Sequence, residues 1–204
     1  MLHSGMNLAE IATRLRADVV VLQRHEAERF AEMERRHRKN GRGVLVQYGE
    51  FTSPEKIQWL YVLTISPTKT VLYPLAWYRN RTGVHAMQID SAGPMTYLRP
   101  HVLDRYLERY TKDNDLIGGL KQMHLRNYDK ACEPSRHMNS SAVASAVADG
   151  YLLGCMILSG TVVDIHTFID EVAAKDNHFL HRLRKFLELR RYFTATNPAS
   201  AKTA

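Results

Sequence analysis

The sequence predicts an α+β protein with a long N-terminal helix, a mainly antiparallel sheet of about five to seven strands, and helices packed mostly on one face of that sheet. Three observations lead to this class. Apolar residues recur at helical spacing over residues 8–39, β-branched and aromatic runs follow from residue 43, and helical spacing returns at Pro100. At 204 residues the chain is long enough to enclose one substantial core.

The N-terminal helix is expected over residues 8–39. Asn7 and Glu10 form a variant of the capping box at its start, and Asn40-Gly41 is a suitable terminator. The end of the helix is basic and contains Arg35, Arg36, Arg38 and Lys39. These cations form either a solvated helix end that complements the helix dipole or an arm that binds phosphates or a partner chain.

Strand-like runs follow, separated by glycine, proline and asparagine. They cover residues 44–51, 57–66, 70–79, 83–90 and 94–98. Short turns between successive runs predict an antiparallel meander. Arg79 and Arg81 flank the turn before the fourth run, and Arg99 follows the fifth. Together with the aromatic residues of the strands, these arginines could stack bases and hold phosphates, although core positions are the alternative for most of the aromatic residues.

The C-terminal half mixes helices with two further strands. Helices are expected over residues 100–110, 116–130, 140–147 and 177–193, and strands over residues 150–158 and 161–169. The domain organisation that follows has three parts. Residues 1–42 form the N-terminal helix with its basic end, residues 43–193 form an α+β core domain, and residues 194–204 form a disordered tail.

Charge and composition narrow the function classes. The formal net charge of +7 and the sequence pI of about 9.5 favour an anionic partner such as RNA, DNA or a phosphorylated ligand. Two cysteines outside any CxxC arrangement are typical of thiols in a reducing compartment. Since no apolar run approaches the roughly 18 residues of a membrane span, we expect a cytoplasmic protein without membrane contact. No phosphate-loop, dinucleotide or metalloprotease motif occurs, so neither a metal nor another cofactor is expected.

Residues 100–110 predict a short helix with an ordered polar face. His101, Arg105, Glu108 and Arg109 lie together on the helical wheel, opposite an apolar side. His101 is in the first turn, where the positive end of the helix dipole disfavours the imidazolium and leaves a general base. The two arginines could bind a phosphate, while Glu108 could carry a proton or orient an arginine. The alternative is a solvated face of an ordinary amphipathic helix.

The last predicted strand carries a second polar cluster. Alternation over residues 162–169 places Asp164, His166 and Phe168 on one face of the strand. If His166 faced the helix at Pro100, two imidazoles and two arginines would converge. A histidine held in a structural network is the alternative.

The stretch from Tyr97 to Ile169 resembles small uncharacterised proteins of bacteria and mobile elements in which a PHxxxRYxER helix precedes two closing strands. It is also similar to the helix and terminal hairpin of the RelE/BrnT-like toxin superfamily. The similarity rests on His101, Arg105, Tyr106, Glu108, Arg109, Gly154, Thr167 and Phe168. This resemblance implies a compact α+β fold and cleavage of RNA without a metal, by basic and histidine residues.

We therefore expect an RNA-acting protein, in its most concrete form a metal-independent ribonuclease of toxin-like or defence-associated type. The catalytic candidates are His101, Arg105, Glu108, Arg109 and His166, and the nucleic-acid-binding candidates are Arg35, Arg36, Arg38, Lys39, Arg79, Arg81 and Arg99. One alternative is a nucleic-acid-binding protein without catalysis. Another is a scaffold whose long N-terminal helix pairs with itself, giving a homo-oligomer, or with a partner protein.

Overall fold

The computed structural model of the chain describes residue 2 and residues 5–40, 43–90, 93–110, 115–134 and 141–196. The helices are α1 (Leu8–Asn40), α2 (Pro100–Tyr110), α3 (Leu116–Asn127) and α4 (His178–Thr196). The strands are β1 (Leu45–Thr52), β2 (Gln58–Ile65), β3 (Thr70–Asn80), β4 (Gly83–Gln88), β5 (Met95–Leu98), β6 (Ala131–Pro134), β7 (Ala142–Val147), β8 (Gly150–Ile157) and β9 (Val162–Ile169). Of the expected disordered tail, residues 197–204 lie outside the described residues.

The strands form one mixed sheet in the order β1-β2-β3-β4-β5-β9-β8-β7-β6. Two antiparallel meanders, β1–β5 and β6–β9, meet where β5 pairs with β9 in parallel. The chain reaches this arrangement because α2 and α3 carry it from β5 to the far edge, from which three antiparallel steps return it to β5. The α+β class and the long first helix are confirmed, but over the residues that the structure describes the sheet has nine strands and one parallel pair.

Helices cover both faces of the sheet, so the expectation that they pack mostly on one face is wrong. Apolar residues of α2 and α3 pack against Leu60 and Val143 on one face, which we call the α2 face. The neighbouring residues Trp59 and Ala144 point to the other side, where α1 covers one end and α4 the other. We call this side the α1 face. Strands in the middle of a sheet bury both faces, and the mixed sheet is wide enough to need helices on each.

The expected helix over residues 140–147 is also wrong, because this segment forms β7. Its alanine and valine side chains alternate between the two buried faces, with Val143 and Val147 on the α2 face and Ala144 and Ala146 under α4. Burial between β6 and β8 outweighs the helix preference of alanine. The helix expected over 116–130 ends at Asn127, and the short strand β6 follows it.

The long helix α1 lies on the sheet of its own chain. Asn7 and Glu10 form the expected reciprocal cap, with backbone-to-side-chain distances of 2.8 and 3.0 Å. Buried carboxylates fasten the helix to β2, since Asp18 accepts a hydrogen bond from the Trp59 indole at 2.7 Å and Glu26 accepts one from the Tyr61 hydroxyl at 2.9 Å. The apolar stripe of α1 is therefore already buried within this chain. Among the described helices none is long and apolar enough to cross a membrane.

One buried histidine makes the fold sensitive to acid. His124 of α3 is completely buried and donates from Nε2 to the Tyr73 carbonyl oxygen at 3.0 Å. Burial lowers the pKa of His124 from the ordinary 6.5 to about 4. Between these two pH values the unfolded chain binds a proton that the folded protein excludes, so the free energy of unfolding falls as the pH drops from 6.5 to 4.

We predict that His124→Gln, whose amide can keep the hydrogen bond to Tyr73, reduces this acid sensitivity. The drop in unfolding free energy between pH 7.5 and pH 4.5, measured by urea titration, should shrink by about 2–3 kcal/mol. The pKa of His85 is also lowered by burial, so some acid sensitivity remains in the variant. His178→Gln, at an exposed position, serves as control and should leave the pH dependence unchanged. An unchanged pH dependence in His124→Gln would contradict a neutral buried imidazole.

Candidate functional site

The site begins with a strand edge that no strand among the described residues covers. β5 pairs with β9 only from Val162 to Ile165, because β5 ends at Leu98 and the chain turns into α2 at Pro100. β9 continues to Ile169, so within the described part of the chain its last residues have no partner strand on that side. Backbone groups at such an edge need other partners. Helix α2 lies alongside and supplies them.

The polar stripe of α2 hydrogen-bonds to this edge through side chains spaced one helical turn apart. His101 donates from Nε2 to the His166 carbonyl oxygen at 2.5 Å. Arg105 donates to the Thr167 hydroxyl at 2.6 Å, and Arg109 donates to the Phe168 carbonyl oxygen at 3.4 Å. The ordered polar face that the sequence predicts is thus largely occupied with holding β9, and the side chains of His101 and Arg105 nevertheless stay exposed.

A bulge at His166 changes the direction of the residues that follow it. Leu153 pairs with Thr167 and Gly154 with Ile165, which leaves His166 as an extra residue in β9. Phe168 consequently enters the core on the α2 face. The expectation that Asp164, His166 and Phe168 share one face is therefore wrong for Phe168. The sequence pattern assumed an unbroken period of two residues, which a bulge interrupts.

Glycine at position 154 permits the bulge. A Cβ atom there would overlap the Asp164 carbonyl oxygen, which is a backbone atom with little room to move. The two strands approach each other this closely only because residue 154 has no side chain.

The His166 ring packs with polar groups of the α1 face. Its Nε2 lies 3.3 Å from Asp164 Oδ2 and 3.6 Å from Cys155 Sγ. About half of the His166 side chain is exposed, whereas only 6% of the Asp164 side chain is. Arg99 forms a bidentate pair with Asp164, through Nε at 2.8 Å and Nη2 at 2.5 Å. The carboxylate is thereby held in place, and the imidazole rests on it.

Asp164 is part of a line of polar side chains that crosses five strands on the α1 face. We call it the polar row, and it consists of Tyr78, His85, Tyr97, Asp164 and Cys155. Tyr78 lies opposite His85 in the register, and Asp164 lies opposite both Tyr97 and Cys155. His85 Nδ1 is 2.6 Å from the Tyr97 hydroxyl, and its ring stacks on Tyr78 with a centroid distance of 4.9 Å.

Burial sets the protonation of the row. It lowers the pKa of His85, and it raises the pKa of Tyr78 and of Tyr97, the latter with a further contribution from the Asp164 carboxylate. The imidazole is therefore neutral and both phenols are protonated near pH 7. The hydrogen bond to Asp164 raises the pKa of Arg99, which stays a cation. The inner part of the row is a neutral scaffold, and the charged groups lie at its exposed end.

The structure brings most of the predicted catalytic residues together. His101, Arg105 and Arg109 meet β9 around His166, and Glu108 is exposed on the same helix. Because the His101 ring touches the carbonyl oxygen of His166, covalent geometry limits the separation of the two rings to roughly 9 Å. The ring of His166 and the ring of His101 lie on either side of the β9 backbone edge.

The predicted nucleic-acid-binding residues fall into two groups. Arg79, Arg81 and Arg99 lie near the start of α2, because the turn at Gly83 packs against Pro100, where an added Cβ would be 2.9 Å from the proline ring. The other group is Arg35, Arg36, Arg38 and Lys39 at the end of α1. Glu34 in that region accepts a hydrogen bond from Thr70, at the opposite end of β3, roughly 30 Å from Arg79. Arg36 and Arg38 pair with glutamates of their own helix, Glu32 and Glu34.

Sequence reasoning missed Cys155, Tyr97 and His85 as neighbours of this site. Each lies in a mainly apolar strand and belongs to no recognisable motif. Only the register of β4, β5, β9 and β8 brings them into one row, and no spacing along the chain encodes that register. The one signal in the sequence is the alternation of Asp164 with His166.

The described residues contain no group of three or more histidine, cysteine or acidic side chains that could hold a metal ion. A cavity of about 740 Å³ on the α2 face, lined in part by Val71, Tyr73, Asp90 and Lys130, includes none of the predicted site residues. Comparisons with protein-family models, curated proteins and solved structures find no match for the chain.

We predict that Gly154→Ala destabilises the protein by about 1–3 kcal/mol, because the added methyl group must push β8 away from β9. Gly93→Ala is a suitable control, since its added Cβ would meet nothing closer than 3.6 Å. Urea unfolding of both variants measures the difference. Equal stability of the two variants would contradict the close approach of the strands.

Proposed function

We propose that the protein binds RNA along the surface that joins α2, the end of β9 and the β3–β4 turn, and cleaves it there without a metal. The observation that carries this proposal is the 2.5 Å contact between His101 Nε2 and the His166 carbonyl oxygen. It holds the His101 ring against the backbone of His166, so that the two imidazoles flank one strand edge, and Arg105 and Arg109 bond to the same edge. The resemblance of the α2 segment to toxin-like proteins supports the same reaction.

The hydrogen bonds of the two histidines assign His101 as the general base and His166 as the general acid. His101 uses its Nε2–H for the carbonyl oxygen, so its Nδ1 is the nitrogen that can accept a proton. It would take the proton of a ribose 2′-hydroxyl, whose oxygen then attacks the adjacent phosphorus. His166, when protonated, rests on Asp164 through Nε2 and can give its other proton to the departing 5′-oxygen.

The arginines stabilise the negative charge of the phosphates. Arg105 uses one of its nitrogens for Thr167 and has further N–H groups for the phosphate oxygens, where negative charge grows in the transition state. Arg79 and Arg81 are exposed at the neighbouring turn and extend the basic surface along the RNA backbone. Glu108 is exposed on the same helix, and this scheme needs no step from it.

We predict that the wild-type protein cleaves RNA in the presence of EDTA and that His101→Gln lowers the rate by about a hundredfold or more. The glutamine amide can still donate to the His166 carbonyl oxygen, so the fold should be retained while proton transfer is abolished. His181→Gln is a matched control, because His181 is also exposed and its Nε2 lies 2.7 Å from a backbone carbonyl, that of Lys175. Cleavage would be followed on a fluorescent oligoribonucleotide. No cleavage by the wild type, or equal rates for both variants, would refute the ribonuclease.

A second candidate is RNA binding without cleavage. It is favoured by the observation that His101, Arg105 and Arg109 all hold the strand edge, which is a structural task sufficient to explain them. Binding that falls steeply with salt, without cleavage of varied RNAs, would support this candidate.

Either candidate predicts which cations bind the RNA backbone. The charge reversals Arg79→Glu and Arg81→Glu should weaken binding several-fold, and should reduce the slope of log K against log salt by about 0.7–1 for each phosphate that the variant no longer neutralises. Arg36→Glu, at an ion-paired position on the far end of α1, is the control. Fluorescence anisotropy at several salt concentrations gives both quantities. An equal weakening in the control would contradict a binding surface at α2.

A further inference from the structure

A thiol, an imidazole, a carboxylate and a guanidinium meet at the exposed end of the polar row. Cys155 Sγ is 3.6 Å from His166 Nε2, which is 3.3 Å from Asp164 Oδ2, and Arg99 clamps that carboxylate. Cys155 is partly exposed, and nearly half of the side chains of His166 and Arg99 is exposed. The ribonuclease scheme assigns a role to His166 and none to Cys155.

The backbone places this cluster at one point of the sheet. Cys155 and Asp164 are direct partners in the register of β8 and β9. The neighbouring Gly154 allows the two strands to approach, and the bulge sets His166 beside the pair. A nucleophile, a base and a carboxylate beside the base are thus held on two adjacent, hydrogen-bonded strands, and a base next to a thiol is what activates cysteines.

We propose that Cys155 is a reactive thiol that hydrogen peroxide oxidises to a sulfenic acid. His166 Nε2 accepts the thiol proton, and the resulting N–H faces both the thiolate and the Asp164 carboxylate, which lie 3.6 and 3.3 Å from this one nitrogen. The thiolate sulfur attacks one peroxide oxygen, the O–O bond breaks, and the sulfur is oxidised while the peroxide is reduced. The departing hydroxide takes the proton from His166 and leaves as water.

The sulfenic acid would engage the His166 imidazole, which the proposed ribonuclease needs as its acid. A sulfenic acid can hydrogen-bond to His166, so oxidation should also inhibit RNA cleavage. This last consequence rests on the proposed function, whereas the reactivity of Cys155 does not. Thiol chemistry can therefore be measured whether or not the protein cleaves RNA.

The chain contains its own control thiol. Cys132 is exposed in β6, and it is the other of the two cysteines. Accessibility alone predicts that Cys132 reacts faster than the partly exposed Cys155. Activation by His166 predicts the reverse order.

The experiment uses the full chain as the single-cysteine variants Cys132→Ser and Cys155→Ser. Each is treated with hydrogen peroxide in the presence of dimedone, and labelling is followed by mass spectrometry. We expect Cys155 to be labelled at least about tenfold faster than Cys132. His166→Gln added to Cys132→Ser should slow the labelling of Cys155 about tenfold or more, and His181→Gln should not change it. Thermal melts followed by circular dichroism verify that the variants are folded.

Faster or equal labelling of Cys132 would overturn the proposal, and so would unchanged labelling of Cys155 in the His166→Gln variant. If the His166→Gln protein fails to fold, the comparison of the two single-cysteine proteins decides alone. RNA cleavage together with slow labelling of Cys155 would support the ribonuclease and refute the reactive thiol. Fast labelling of Cys155 without RNA cleavage would support the reactive thiol and refute the ribonuclease.

Discussion

The uncovered edge of β9 is the constraint on which the site depends. β5 stops at Leu98 while β9 runs on to Ile169, and the carbonyl groups left over on that side need donors. Helix α2 begins at Pro100 and lies where a longer β5 would have paired. Its polar stripe replaces the missing strand: His101 and Arg109 donate to carbonyl oxygens in place of backbone N–H groups, and Arg105 bonds to the Thr167 hydroxyl. A sheet that was complete at this point would have no place for a basic, exposed helix face.

His166 connects the two faces of the sheet. Its carbonyl oxygen accepts from α2, whereas its ring rests on Asp164 on the α1 face. The bulge in β9 allows His166 to make both contacts at once. Gly154 leaves room for β8 to pair with the bulged strand. Behind Asp164 the polar row is partly buried and neutral, so it adds no charge beside the carboxylate that Arg99 holds. Chemistry is therefore concentrated at one edge of a rigid sheet.

The sequence predicts the local features well. The capping box of α1, the limits of α2 and the polar face of α2 all depend on residues close together in the chain. What it does not predict depends on tertiary packing. The segment 142–147 is a strand because β6 and β8 flank it, and the parallel pair of β5 with β9 joins residues more than sixty positions apart. The grouping of Cys155 with Asp164 follows from a register that no local pattern records.

The contact between α2 and the edge of β9 can be observed directly in solution. Nuclear magnetic resonance of protein labelled with ¹⁵N-histidine reports which imidazole nitrogen of His101 carries the proton, and nuclear Overhauser effects report the neighbours of the ring. We expect His101 as the Nε2–H tautomer, with contacts from its ring to protons of His166 and Thr167. Rapid averaging between both tautomers, without any contact to β9, would contradict the account.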